Sequence, residues 1–259
     1  MITIKSDREI QLMRESAEKL RNVFAEVKTM IRPGVKTAAL DQKAEKVIQA
    51  QNAKPAFKGY RGYPASLCIS INEEVVHGIP STQRIIREGD IISIDAGLIW
   101  HDFFSDSART WTVGKVPSHI VKMIQVTKQA LYEGMDQMKV GARIGDISAA
   151  IQHRIESNGF GVVRDYVGHG IGKAMHEDPQ VPNYGTPGRG QKLVAGMALA
   201  LEPMVTEGDW QVKVLEDGWT VVTKDGKIAA HYEDTIAVTE NGPENLTGEQ
   251  VYQESEICV

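Results

Sequence analysis

The chain has 259 residues, 42% of them hydrophobic and 24% charged, with a formal net charge of -5. That is the composition of a soluble globular protein able to bury a core, and the lack of a basic block argues against a nucleic-acid surface. No run reaches membrane-spanning length, the start lacks a signal-peptide core, and two cysteines, Cys68 and Cys258, cannot build a disulfide framework, so a cytoplasmic protein is expected.

Ser6-Asp7-Arg8-Glu9 reads as a capping box, followed by Ile10, Met13, Ala17, Leu20, Phe24, Val27 and Ile31 at helical spacing up to Pro33-Gly34. Thr37 is the expected cap of a second helix, with Leu40, Ala44, Val47 and Ile48 facing inward. A Gly/Pro-rich stretch holding Tyr60, Tyr63 and Cys68 then leads to His77. Two short runs rich in β-branched residues, 91–94 and 108–113, read as a hairpin joined by a Gly-containing connection, with Asp95 and Asp106 at strand ends 11 positions apart. A carboxylate buried beside apolar strand residues needs a cation, and the candidates are Arg109 or a metal. Ser118 is the expected cap of a third helix bearing Val121, Ile124, Leu131 and Met138; a fourth presents Ile147, Ile151 and Ile155 before Asn158-Gly159 stops it.

An offset of 107 residues lays Gly34 on Gly141, Leu40 on Ile147, Ala44 on Ile151, Ile48 on Ile155, and segment 89–95 on 196–202. Asp95 thereby acquires a counterpart, Glu202. Glu233 and the run after it resemble Asp106 and its strand at an offset of 127, the extra 20 residues falling between Gly208 and Gly226. A duplication of two helices followed by strands implies one pseudo-symmetric α+β unit over residues 1–259, with halves at roughly 6–113 and 118–247, rather than two independent domains.

A pseudo-two-fold would draw Asp95, Asp106, Glu202 and Glu233 together, and four carboxylates share a site only around cations, for which two divalent ions would serve. His169, on what reads as a glycine-rich turn, offers an imidazole to complete such a site. The same glycines do not make a phosphate loop, because no Lys-Ser/Thr pair follows and the spacing fails. No G-x-S-x-G elbow supports a serine hydrolase, and Cys68 as a nucleophile would need an activating partner.

The ordered motifs VHGIP (His77), SIDAG (Asp95), FSDSART (Asp106), GHGIG (His169), MHEDP (His176), LEPM (Glu202) and YEDT (Glu233) resemble those of type I methionine aminopeptidases, from the first helix to about Thr247. The resemblance implies the pita-bread fold, a pseudo-two-fold α+β domain whose curved antiparallel sheet is covered by two helix pairs. It implies two divalent ions (Co, Mn, Fe(II) or Zn) held by Asp95, Asp106, His169, Glu202 and Glu233, with Asp106 and Glu233 bridging. A bridging water or hydroxide would attack the first peptide carbonyl, Glu202 would shuttle the proton, His176 would stabilise the oxyanion, and His77 would contact the scissile amide.

By the same resemblance Tyr60, Tyr63, Cys68 and Trp219, with His77 and His176, line the methionine site, while Phe57 and Met175 stand where relatives vary. The expected reaction removes N-terminal methionine from nascent polypeptides when the second residue is small. Val76 stands where many bacterial relatives carry a Cys before the first His, and the 31 positions from Glu202 to Glu233 leave no room for the helical insertion of type II relatives. A monomer is expected, with any transient ribosome contact made by the catalytic domain. The competing readings are a prolidase or X-Pro aminopeptidase with the same ligands, and a non-catalytic binding protein of the same fold.

Overall fold

The structure, a computed structural model, describes residues 2–248, so Cys258 lies outside the described residues. In chain order it forms α1 (Asp7–Lys28), α2 (Thr37–Ala50), β1 (Lys54–Pro55), a 3-10 turn (Tyr60–Gly62), β2 (Leu67–Ile71), β3 (Glu74–Val76), β4 (Ile91–Trp100) and β5 (Phe103–Thr112). There follow α3 (Ser118–Asp136), α4 (Ile144–Glu156), β6 (Gly161–Val162), β7 (Gly168–Gly170), β8 (Glu177–Val181), β9 (Ala198–Leu201) and β10 (Met204–Thr206). The last strands are β11 (Val212–Val214), β12 (Val221–Thr223), β13 (Ala229–His231), β14 (Glu233–Thr239) and β15 (Gly242–Asn245).

The Ser6 capping box forms as read: the Glu9 amide donates to Ser6 Oγ (3.4 Å) and the Ser6 amide to Glu9 Oε2 (3.0 Å). The helix nevertheless ends at Lys28, well before Pro33-Gly34, where Thr29 Oγ1 turns back onto the Glu26 carbonyl at 2.8 Å. Neither Thr37 nor Ser118 is a side-chain cap; each is the first helical residue, after Lys36 and Pro117. The Thr37 hydroxyl instead accepts from the Ser81 amide (2.8 Å), tying α2 to the loop that leads into β4.

The principal sheet runs β1-β4-β5-β14-β9-β7-β8, with β2 also paired to β4 and β15 to β14, all antiparallel. One core joins Leu20, Val27, Leu40 and Ile48 of α1 and α2 to Ile69, Ile92 and Ile94 of the sheet. A second joins Ile124, Ile147, Ile151 and Ile155 of α3 and α4 to Leu199, Leu201 and Ile236. Each fully buried Leu or Ile is worth about 2 kcal/mol, so these two cores, not the exposed loops, hold the sheet in shape.

The two halves repeat in backbone detail. Helices α2 and α4 begin 107 positions apart, and the isolated bridges Lys36–Ile85 and Arg143–Lys192 are displaced by the same interval. Gly34 and Gly141 have φ of 90° and 94°, and Gly89 and Gly196 both 86°, left-handed values that only glycine adopts at little cost.

The strand register alters one correspondence. Asp106 lies opposite Gly97, and 107 positions beyond Gly97 is Met204, whose partner is His231. His231 is therefore the positional counterpart of Asp106, at an offset of 125, and Glu233 corresponds to Ala108. The expected offset of 127 followed motif likeness, acidic residue then strand, whereas register follows the continuous pairing of β13 and β14 with β10 and β9. Ala108 and Glu233 are themselves paired, which sets the pseudo-two-fold axis between them.

A candidate metal centre at the pseudo-two-fold axis

Asp95 and Asp106 do not sit at strand ends. Both lie inside ten-residue strands, with Asp95 opposite Ala108 and Gly97 opposite Asp106. The connection is made by His101 and Asp102, both at positive φ (46° and 65°), and Gly97 is a strand residue, so the glycine did not mark the turn. Side chains alternate across a strand, and this pairing directs both carboxylates to one face. Glu202 directly follows β9, Glu233 opens β14, and His169 is the middle residue of β7, opposite Ala200.

The segment around His169 is likewise a strand and not a turn. A side chain at Gly168 would meet the Ala200 carbonyl at 2.4 Å and one at Gly170 the Asp178 carbonyl at 2.2 Å, so the glycines permit close strand packing. His169 Nδ1 lies 2.8 Å from the Gly170 carbonyl, which can only accept, so the ring proton is on Nδ1. The lone pair of Nε2 then faces the carboxylates, 3.7 Å from Glu202 Oε1.

Arg109 does not neutralise either aspartate. It pairs with Asp234 at 2.6 Å and also donates to the Glu233 carbonyl at 2.7 Å, stitching β5 to β14. Thr235 Oγ1 adds a second stitch, accepting from the Asp106 amide at 3.1 Å and donating to its carbonyl at 2.9 Å. The cluster of carboxylates is thus rigidly held, and no cation among the described residues pairs with Asp95 or Asp106.

Burial and mutual repulsion dominate the electrostatics of the cluster. Burial, reinforced by Asp106 and Glu202, pushes the Asp95 carboxyl well above its ordinary value; burial and the neighbouring acids do the same for Glu202 and Glu233. Burial raises Asp106 to about 7. His169 and His77 are lowered to about 4, first by burial and then by the nearby His176, so both are neutral imidazoles. Buried oxygens Asp95 Oδ1, Asp106 Oδ1 and Glu233 Oε1 have no hydrogen-bond partner among the described residues. Asp106, His169 and Glu233 offer ligand atoms that all lie within 4.8 Å of one another. Oxygen-rich donors with one neutral imidazole, unsatisfied and crowded, fit divalent metal ions.

These residues close one end of a cavity of about 150 Å³. Phe57, Tyr60, Tyr63, Cys68, Met175 and Trp219 line the rest, together with His77 and His176, so every residue expected at the methionine site opens onto the same space. Tyr60 Oη lies 2.9 Å from His176 Nδ1, and Tyr63 stands edge-on to Trp219 with ring centres 5.1 Å apart. His77 takes a strained left-handed φ of 60° and packs edge-on against Tyr166 and Trp219. Burial raises the Cys68 thiol well above its ordinary value, which makes it an inert wall and not a nucleophile.

Two further residues belong to the site outside the expected set: Arg61, which lines the cavity, and His231, which is buried with Nε2 unpartnered among the described residues, 3.9 Å from Glu233 Oε2. The signal for His231 lay in the alternation of strand side chains: it stands two residues before Glu233 and so shares its face.

The sequence profile described as metallopeptidase family M24 matches residues 11–240. A methionine aminopeptidase of Clostridium acetobutylicum is 54% identical over 247 residues, covering 95% of this chain and 99% of that one. The crystal structure of methionine aminopeptidase from Thermotoga maritima superposes with a TM-score of 0.94 at 47% identity, over 96% of this chain and all of that one. The pita-bread fold is thereby shown. A prolidase from Pyrococcus horikoshii shares the fold at a TM-score of 0.78 and 24% identity, but only 64% of its length is matched.

Proposed function

The chain belongs to metallopeptidase family M24 and catalyses metal-dependent removal of N-terminal methionine from nascent proteins, and from that premise we propose how its residues do so. The observation that carries the reading is the meeting, in one cavity, of an aromatic and thioether-compatible wall with a set of unsatisfied carboxylates and a neutral imidazole.

Asp95, Asp106, His169, Glu202 and Glu233 would hold two divalent ions. When bound, such ions supply water activation and polarisation of the peptide carbonyl. Glu202 accepts a proton from the attacking water and returns it to the leaving nitrogen, its carboxyl being one that burial, with Asp106 nearby, raises well above its ordinary value. Its backbone is fixed by Asn183 Nδ2, 3.0 Å from the Glu202 carbonyl. Tyr60 Oη lies 2.9 Å from Nδ1 of His176; with the hydroxyl as donor, the neutral ring would carry its proton on Nε2 for the developing oxyanion. His77, held edge-on between Tyr166 and Trp219, addresses the scissile amide. Tyr60, Tyr63, Cys68 and Trp219, with Phe57 and Met175, wrap the methionine side chain and exclude water.

The whole chain acts as one catalytic domain with an internal repeat. Its setting is cytoplasmic and its working form a monomer, with transient ribosome contact made by the catalytic surface. No helix among the described residues is long and apolar enough to cross a membrane. Methionine release from Met-Gly-Met tests the assignment: the metal-loaded protein cleaves it, and Glu202→Ala and His169→Ala do not. Full activity in either variant at saturating metal, or cleavage of Gly-Pro in preference to Met-Gly, overturns it.

A further inference from the structure

Beside the cavity lies a second hollow, a groove of about 690 Å³ whose lining includes Thr3, Arg61, Lys173, His176, Asp178 and Gln180. Arg61, His169 and His176 line both spaces, so the groove adjoins the cavity at its mouth. With a methionine side chain seated against the aromatic wall, the scissile carbonyl would lie between the carboxylates and His176, and the rest of the peptide would leave past His176, alongside the groove.

The charges of that groove are largely spoken for. Lys173 pairs with Glu9 at 3.0 Å, Glu177 with Lys5 at 2.7 Å, and Asp178 is engaged as well. Arg61 differs: among the described residues it forms no ion pair, and its guanidinium lies 5.3 Å from the centre of the Tyr60 ring. Its backbone takes a left-handed φ of 48° between Gly59 at 86° and Gly62 at 89°, and the Tyr63 amide closes the turn onto the Tyr60 carbonyl at 2.9 Å. A hydrogen-bonded turn thus presents a cation with no ion-pair partner among the described residues beside the path of the peptide, one residue from the tyrosine that contacts His176.

We propose that Arg61 is a specificity-determining residue that favours an anionic side chain at the third residue of the substrate. The proposal rests on the methionine-removal reading above. The first residue fills the aromatic cavity and the second the narrow space at the carboxylates, so the third is the first whose side chain can reach the groove. A guanidinium there attracts a carboxylate and repels an ammonium group, and it takes no part in bond breaking.

The experiment compares amidated Met-Gly-Asp-Ala, Met-Gly-Gln-Ala and Met-Gly-Lys-Ala, whose blocked termini remove a competing carboxylate. With metal-loaded enzyme at low salt, kcat/KM for the Asp peptide exceeds that for the Lys peptide by about fivefold, the scale of a solvent-exposed ion pair. The ratio shrinks towards one in high salt. It persists in Arg61→Lys, vanishes in Arg61→Gln and inverts in Arg61→Glu, and because it is taken within each variant, losses of folding or metal loading cancel. A ratio near one in the unaltered enzyme, or an unchanged ratio in Arg61→Glu, overturns the proposal. Absence of methionine release from all three peptides, the neutral one included, overturns the methionine-removal reading and the proposal with it.

Discussion

Arg109 Nη2 lies 2.6 Å from Asp234 Oδ1, and Asp234 is the residue next to Glu233. Both partners are buried, 6% and 0% exposed in their side chains, so the pair holds the sheet together where β5 and β14 bring Asp106 and Glu233 side by side. Removing one member of a buried pair leaves an uncompensated charge. Arg109→Met should therefore cost about 3 kcal/mol, at the lower end for such losses because Ser107, Asn245 and Thr247 still donate to Asp234. Chemical denaturation measures this, and Asp234→Asn in the same background should recover part of the loss. An effect under about 0.5 kcal/mol would mean that the pair is no more than a surface contact.

The metal-free protein should lose thermal stability as pH rises from 6.5 to 8. Asp106 is raised by burial from 3.8 to about 7, so the fold favours its protonated form; that stabilisation is complete below 3.8 and lost as pH climbs through 7. Asp95, Glu202 and Glu233 shift in the same direction. The buried imidazoles oppose this at lower pH, since His169 and His77 fall to about 4 and His231 to about 3, and their contribution is lost as pH drops below 6.5. Above 6.5 most of the imidazole contribution is already in place, and the carboxylates set the trend. Melting temperatures in chelator should decline across this window and flatten when Mn(II) is added; identical curves with and without metal would contradict the metal centre.

Gly97→Ala should raise KM for methionyl peptides about tenfold while leaving metal affinity unchanged. A Cβ at this strand position would stand 2.7 Å from Phe57 Cε1 and 3.1 Å from Ala56 Cβ, and Phe57 lines the cavity proposed for the methionine side chain. Overpacking of this kind displaces the neighbour it meets. Steady-state kinetics beside metal titration separates the two effects, and an unaltered KM would show that the ring yields elsewhere.

The second residue of the substrate should be restricted to small side chains. The cavity measures about 150 Å³ and is already closed at its inner end by the carboxylates and His169. Met-Gly and Met-Ala peptides should exceed Met-Leu in kcat/KM by at least about a hundredfold, because a clash next to the scissile bond misplaces the reacting atoms. Comparable rates on Met-Gly and Met-Leu would refute the narrow passage.

Much of this architecture was legible because its periodicities are local. Leu40, Ala44 and Ile48 recur as Ile147, Ile151 and Ile155, and all six are fully buried beneath their respective helices. What resisted reading depended on contacts distant in sequence. Arg109 looked like a partner for Asp95 or Asp106 until Asp234 arrived from 125 positions away. Gly168 and Gly170 resembled a turn because their need for space comes from the Ala200 and Asp178 carbonyls, which no local pattern reveals. His231 was hidden because the acidic motif at Glu233 resembles Asp106 more closely than His231 does, and only the pairing of Met204 with His231 reveals the correspondence.

The hairpin turn at His101 and Asp102 has a consequence of its own. Two residues close it, and this fixes Gly97 opposite Asp106 through the whole length of β4 and β5. Side chains on paired strands obey an odd–even rule, so a one-residue slip along β5 would leave the ladder of hydrogen bonds intact yet send Asp106 through the sheet to the far side. The two aspartates thus share a face only by arithmetic. The chemistry of the centre is written in the parity of the chain between them, and the shortest turn available is what keeps that count.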